Sequence, residues 1–221
     1  MMVHSFPIQD KKMNELFLQR GDMTTMKKNK PKYMQIIDAA VIAIAENGYH
    51  QAQVSKIAKQ AGVADGTIYL YFKNKEDILI SLFEEKMGNF VEKIEEMIAG
   101  KHSAAEKLLI MIKAHFQMLS DDHHLAIVTQ LELRQSNKEL RLKINDVLKG
   151  YLKLIERIVL EGKETGEFSI DLDVRLARQM IFGTIDETVT SWVMNEEKFD
   201  LYALAPSVHH LLINGFGSRE C

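Results

Sequence analysis

Gly62 constrains this chain more than any other position. Before it, Val54, Ile57, Ala58 and Ala61 recur at the spacing of one helix face; after it comes Val63. Ala58 and Ala61 are small, so a second helix can cross closely over the first. A glycine at the bend takes a left-handed conformation that other residues resist. Val63 then plugs the gap between the two helices. The following stretch, Asp65-Gly-Thr-Ile68-Tyr69-Leu-Tyr71-Phe72, predicts a short second helix. Ile68 and Phe72, four apart, turn inward, leaving Thr67, Tyr69 and Tyr71 for the outer face or the rim. A short helix offered this way fits the roughly 12 Å major groove of B-DNA, so the segment reads as a helix-turn-helix.

Charge supports this reading over an ordinary helical hairpin. Residues 26–75 carry eight lysines against Asp38, Glu46 and Asp65, a net +5, whereas residues 76–221 carry 17 cations and 25 anions, a net −8. The whole chain is −3. A basic head on an acidic body suits phosphate binding by the head alone.

The rest of the chain is helical in period almost throughout, and no strand is expected. Tyr33, Ile37, Ala40, Val41 and Ile44 share a face, with Asn47-Gly48 as the stop. Asn74 caps a long helix whose stripe is Leu79, Leu82, Phe83, Phe90, Ile94 and Met97. Ser103-x-x-Glu106 and Ser136-x-x-Glu139 read as capping boxes opening two more helices. Asp121-Asp122 would start a short helix between these, ending near Arg134. Gly162 to Gly166 interrupt the pattern, Asp171 or Asp173 caps the next helix, and the last begins between Asp200 and Pro206. The fold class is therefore all-α. A three-helix DNA-binding domain over residues 26–75 precedes a larger helical domain over 76–221. Residues 1–25 show no sustained period and read as a disordered extension, with Met26 or Met23 the expected start of translation.

Other functional classes find little support. The one cysteine, Cys221, allows no intrachain disulfide, and the longest wholly apolar run, Ala39 to Ala45, is far too short for a bilayer. No leader pattern opens the chain, and a cytoplasmic protein without membrane partners is expected. His123-His124, near Asp121-Asp122 and His115, lack metal-ligand spacing, so no metal is expected there, nor at His209-His210. No nucleophile or phosphate-loop motif is present. The expectation is a protein that is not an enzyme and has no cofactor.

Ile57-Ala58, Ala61-Gly62-Val63, Gly66-Thr67-Ile68-Tyr69, Tyr71-Phe72 and Asn74-Lys75-Glu76 resemble the DNA-binding motif of the TetR family at nearly every fixed point. Gln53 and Ala64 depart from it, standing where that motif usually has capping residues. The stretches VTQLELRQSNKELRLKIN and LDVRLARQMIFGTIDETVTSWVM resemble Gram-positive TetR-type regulators of fatty-acid degradation. The resemblance implies a transcriptional repressor that binds a palindromic operator as a homodimer. It places Gly66, Thr67 and Tyr69 at bases or the groove wall, with Tyr71 and Lys75 on phosphates. Physics agrees with the last assignment, since lysine and phenol suit backbone oxygens and Lys75 opens a helix.

The resemblance also implies long-chain acyl-CoA as the releasing effector. That ligand needs an apolar slot, for which Phe90, Phe116, Leu131 and Tyr151 are candidates. It also needs cations, for which Arg134, Arg141, Arg175 and Arg178 stand near helix ends, unless they pair with neighbours such as Glu139 or Asp171. A different hydrophobic molecule or drug is the alternative effector, favoured by an aromatic, acid-lined pocket. Ala177, Thr184, Thr188 and Ser191 form a small-residue stripe suited to the dimer contact. The helix from Lys75 to about Ala99 would be the only element joining the two domains.

Overall fold

The computed structural model describes residues 31–216, and within them the chain is helical without a strand. The extension over 1–25, the lysines Lys27, Lys28 and Lys30, and Cys221 lie outside the described residues. Three helices form the head: α1 (Pro31–Gln51), α2 (Val54–Gln60) and α3 (Asp65–Ile68). The body holds α4 (Lys75–Ile98), α5 (Ala104–Asp121), α6 (His123–Glu132), α7 (Lys138–Thr165), α8 (Val174–Met194) and α9 (Ala205–Phe216). A 3-10 turn over Tyr202–Leu204 leads into α9.

Local chemistry fixes most of these ends. Asn74, Ser103, Asp122, Asn137 and Asp173 each cap a helix, their side chains accepting from Asp77, Glu106, Leu125, Leu140 and Leu176 N–H groups. Two expectations move by one residue. Asn137, not Ser136, caps α7, and Asp122 caps α6 while Asp121 still belongs to α5. Glu167, in the link after α7, reinforces the start of α5. It accepts from Ser103 Oγ at 2.7 Å and from the N–H groups of Ala104 and Ala105 at 2.9 and 3.1 Å. Burial alone would raise its pKa, yet these bonds hold it below the ordinary carboxylate value.

One continuous core runs through both parts. In α4, Ile78, Leu79 and Leu82 are buried toward the head and Phe83, Phe90, Ile94 and Ile98 within the body. Met97, expected in this stripe, is half exposed; the 3.6-residue period gives its place to Ile98. The helices α4 and α7 make the most extensive pairing, and α8 closes the bundle through Ala177, Ile181, Ile185, Val189 and Trp192. Ala177 is therefore core, not part of an outer stripe. Nor is α4 the only connection between head and body, because α1 packs along α6 even more extensively than along α4.

Gly162 does not break its helix. The helix α7 runs through it to Thr165 and ends at Gly166, whose φ of +78° is left-handed. Gly162 lies under Phe168: a Cβ there would sit 2.3 Å from Phe168 Cδ2. Gly150, exposed on the same helix, has nothing within 4 Å of a Cβ. Gly162→Ala should cost about 1–3 kcal/mol by overpacking. Gly150→Ala should stabilise by about 0.5–1 kcal/mol through helix propensity. Urea unfolding of the two variants checks the contrast.

Candidate functional site

The turn after α2 adopts the geometry its residues predict. Gly62 has φ +62°, Val63 N–H donates to Ala58 O at 3.0 Å, and Gln35 of α1 donates to Ala61 O at 2.7 Å. Ile57, Ala58 and Ile68 are fully buried, and Phe72 stacks on Tyr33 at 5.1 Å between ring centroids. Neither Gln53 nor Ala64 makes a side-chain cap bond. The helical part of the second element is shorter than expected, four residues, and continues to Phe72 as turns closed by Tyr71 and Phe72 N–H to Ile68 O.

The five candidate residues lie along this element and at its exit. Gly66 and Tyr69 are exposed, with Tyr69 at 57%, while Thr67 and Tyr71 are half-buried. Leu70, which the sequence reading passed over, is more exposed than Tyr69, at 79%. Lys75 opens α4 with its Nζ over the Tyr49 ring and donating to the carbonyls of Tyr49 (2.8 Å) and His50 (3.1 Å). Burial lowers its pKa from the ordinary lysine value. An ammonium has three donors, so one remains for a phosphate.

Those carbonyls are accessible because Gly48, with φ 71° and ψ 153°, kinks α1 just upstream. The same kink releases Tyr49 N–H, which donates to Glu132 of α6 at 2.8 Å. One bend thus binds the entry to α4 on one side and the body on the other.

The body contains a groove of about 570 Å³ between α4 and α5, continued by the start of α6 and by Tyr202. Phe90, Met97, Ile110, Ala114, Met118 and Leu125 give it an apolar floor, and Lys86, Lys93 and Lys113 a basic rim. Asp121 and Asp122 also line it, but each is engaged. Asp121 accepts from Gln117, and Asp122 caps α6. Lys86 bonds Asp38 of α1 at 2.7 Å, linking the groove to the head.

Of the effector candidates, only Phe90 lines this groove. Phe116 and Tyr151 are buried in the core beneath it, and Leu131 is half exposed on α6. Three of the four arginines have other partners. Arg134 pairs with the buried Asp186, Arg178 with Glu156 at 2.6 Å, and Arg141 donates to the Gln135 and Ser136 carbonyls. The sequence reading missed the three lysines. Their signal was available: Lys86, Phe90, Lys93 and Met97 recur at 4, 3 and 4 residues on α4, one stripe of mixed basic and apolar character.

Beneath Phe90, His115 Nδ1 lies 2.9 Å from Tyr151 Oη, and its Nε2 has no partner. Burial pushes the imidazole down to about 4, so it is neutral near pH 7. His123 pairs with Glu197, and His209 Nε2 meets Ala105 O at 2.8 Å. Among the described residues no cluster is suited to a metal, and no helix is long and apolar enough to cross a membrane.

A helix-turn-helix head on an all-helical body with a groove against the linking helix defines a one-component bacterial regulator. Residues 36–82 match "Bacterial regulatory proteins, tetR family", and residues 83–215 match "YsiA-like protein, C-terminal region". The chain belongs to the TetR family. It is 69% identical over 194 residues to the fatty acid metabolism regulator protein of Bacillus subtilis, covering 88% of this chain and 100% of that one. Two solved structures are also similar. FadR of Bacillus subtilis in complex with stearoyl-CoA has 71% identity and a TM-score of 0.82, covering 83% of this chain and 99% of that one. The fatty acid degradation regulator FadR of Bacillus halodurans has 66% identity and a TM-score of 0.81, with the same coverage.

His115 also generates a pH signature. Above its ordinary pKa near 6.5 the ring is neutral folded or unfolded and adds no pH dependence. Below that value the unfolded chain takes up a proton that the folded chain refuses until about pH 4. The stability lead of wild type over His115→Asn should therefore be flat above pH 6.5 and shrink between 6.5 and 4. Urea titrations at stepped pH measure it; a lead that stayed constant would mean His115 is not held neutral.

Proposed function

We propose that this chain is a TetR-type repressor of fatty-acid degradation genes that binds a palindromic operator as a homodimer and is released by long-chain acyl-CoA. The groove carries this reading. Its volume suits a ligand site, its floor is apolar, and its rim sets three lysines, Lys86 of which pairs with Asp38, against the two aspartates Asp121 and Asp122. The excess of cations at this rim suits acyl-CoA, whose phosphates the lysines would hold, better than the cationic drug kept as an alternative. The related Bacillus subtilis FadR was solved with stearoyl-CoA. The relatives are named as regulators rather than enzymes, and a cytoplasmic setting follows from the role.

In this reading residues 26–75 bind DNA, with Gly66, Thr67 and Tyr69 at bases or the groove wall and Tyr71 and Lys75 on phosphates. Residues 76–221 bind the effector and dimerise. The dimer face is the outer side of α8 with α9, where Leu176, Met180, Met194 and Leu211 are about half or more exposed and Gly183, Thr184, Thr188 and Ser191 keep the surface low. Acyl-CoA in the groove presses on α4 and draws Lys86 from Asp38, shifting α1 and the recognition element together.

Two experiments test this. In operator binding at stepped salt, Lys75→Ala and Tyr71→Ala should both weaken binding to every sequence, and only the loss of the Lys75 cation should flatten the salt slope, by about 0.9. Thr67→Ala should alter base preference instead; if all three variants bound like wild type, the DNA-reading surface would lie elsewhere. In the second, the operator complex is titrated with acyl-CoAs of graded length. Release should strengthen steeply with each added methylene, by roughly 0.8 kcal/mol, until the site is full. Lys93→Glu or Lys113→Glu should weaken acyl-CoA more than free fatty acid. Release indifferent to chain length, or none at all, would remove acyl-CoA as the effector.

A further inference from the structure

Phe90 and Met118 stand between the groove and the protein interior. Phe90 lines the groove and packs edge-on against His115, with ring centroids 5.4 Å apart. Met118 lines both the groove and a small inner space of about 20 Å³, which His115 borders together with Thr129, Gln130 and Asp186. That volume holds about one water, yet most of its walls are apolar: Phe83, Met87, Leu119, Leu133, Leu148 and Phe182. Methionines at this boundary and in the wall can give way to a chain more readily than branched residues.

The polar groups around this space are satisfied, with one exception. Thr129 donates to Leu125 O, Gln130 bonds Thr190, and Asp186 receives Arg134. His115 Nε2 alone among them is buried without a partner. Its tautomer follows from counting. Burial and the nearby Asp186 keep the Tyr151 phenol protonated, and its O–H can be satisfied by donating to His115 Nδ1. The proton of the neutral ring then sits on Nε2. The opposite tautomer would leave two groups unsatisfied, the phenol O–H and the Nε2 lone pair. An unpaired buried N–H costs about 1–3 kcal/mol, so the site holds a donor awaiting an acceptor oxygen.

We propose that His115 Nε2–H donates to the thioester carbonyl of the effector, where its acyl chain leaves the groove and enters the interior. The inference rests on acyl-CoA being the effector. The thioester is the last acceptor before a chain that needs none, and among the described residues lining the inner space His115 alone has a buried side-chain nitrogen without a partner. His115 thus sets specificity for an acylated over an alkylated thiol, and Tyr151 positions it.

The test compares stearoyl-CoA with S-octadecyl-CoA, a thioether in which CH₂ replaces the carbonyl, by calorimetry on the full chain. Wild type should bind the thioester roughly tenfold more tightly. In His115→Asn, whose side-chain oxygen can still accept from Tyr151 but which has no donor at the Nε2 position, the two ligands should bind alike. His115→Gln, which places an amide N–H near that position, should keep part of the preference. Should the variants fold poorly, the ¹³C-labelled thioester carbonyl of stearoyl-CoA bound to wild type should stretch at lower frequency than in a hydrocarbon solvent. Equal affinities in wild type, an unshifted carbonyl, or a preference surviving in His115→Asn would overturn the assignment and leave acyl-CoA as effector. If wild type bound neither ligand, the effector reading would fall with it.

Discussion

The shared burial of α4 is the constraint on which the rest of this structure depends. Its 24 residues span about 36 Å and carry one apolar stripe divided between two bodies. Ile78, Leu79 and Leu82 complete the core of the head, and Phe90, Ile94 and Ile98 complete that of the body. Neither core closes without this helix. Because an α-helix is stiff over such a length, displacement at Phe90 is felt at Lys75, three residues beyond Phe72, where the DNA-reading element ends.

Polar links supplement this packing, and their magnitudes separate their roles. The Lys86–Asp38 pair is partly exposed, with side chains 22% and 58% accessible, and such pairs contribute about 0–1 kcal/mol. Swinging a two-state balance from about 1:99 to 99:1 takes about 5.5 kcal/mol. The ion pair can therefore guide the direction of movement, while most of the energy must come from ligand burial against α4 and α5. The bend at Gly48 plays a different part. By freeing Tyr49 N–H for Glu132 and two carbonyls for Lys75, it fixes α6 and the start of α4 to a common point. Motion of α6 and motion of α4 are then not independent inputs to the head.

The helices, their order and most of their ends were legible in the sequence because they follow from local chemistry. Asn74, Ser103 and Asp173 cap where expected, and Gly62 turns where expected. Local chemistry also explains the near misses. Ser136 and Asn137 are adjacent and equally able to cap, and only the backbone decides between them. What depends on remote partners was not legible. Gly162 looked like a break because Phe168 above it is invisible until the link folds back. Arg134 and Arg178 looked available because Asp186 and Glu156 lie 52 and 22 residues away in sequence. The lysines of the groove were hidden for the converse reason: each looks like ordinary helix surface until α5 is laid beside α4.

The outer face of α8 gives the movement its meaning. A tilt of α4 alters the separation of two recognition elements only against a fixed reference. Ile181, Ile185, Val189 and Trp192 lock one side of α8 into the bundle, while Met180, Thr184, Thr188 and Ser191 lie toward the other. The small residues permit close approach by a second copy, and the long apolar ones supply the area. That face is apolar and low, whereas the groove wall on α4 sets Phe90 and Met97 among Lys86 and Lys93 at a partly open surface. The body thus offers one face to a second copy and a separate groove to a ligand, and a repressor of this kind needs that division for binding at one site to change the spacing at another.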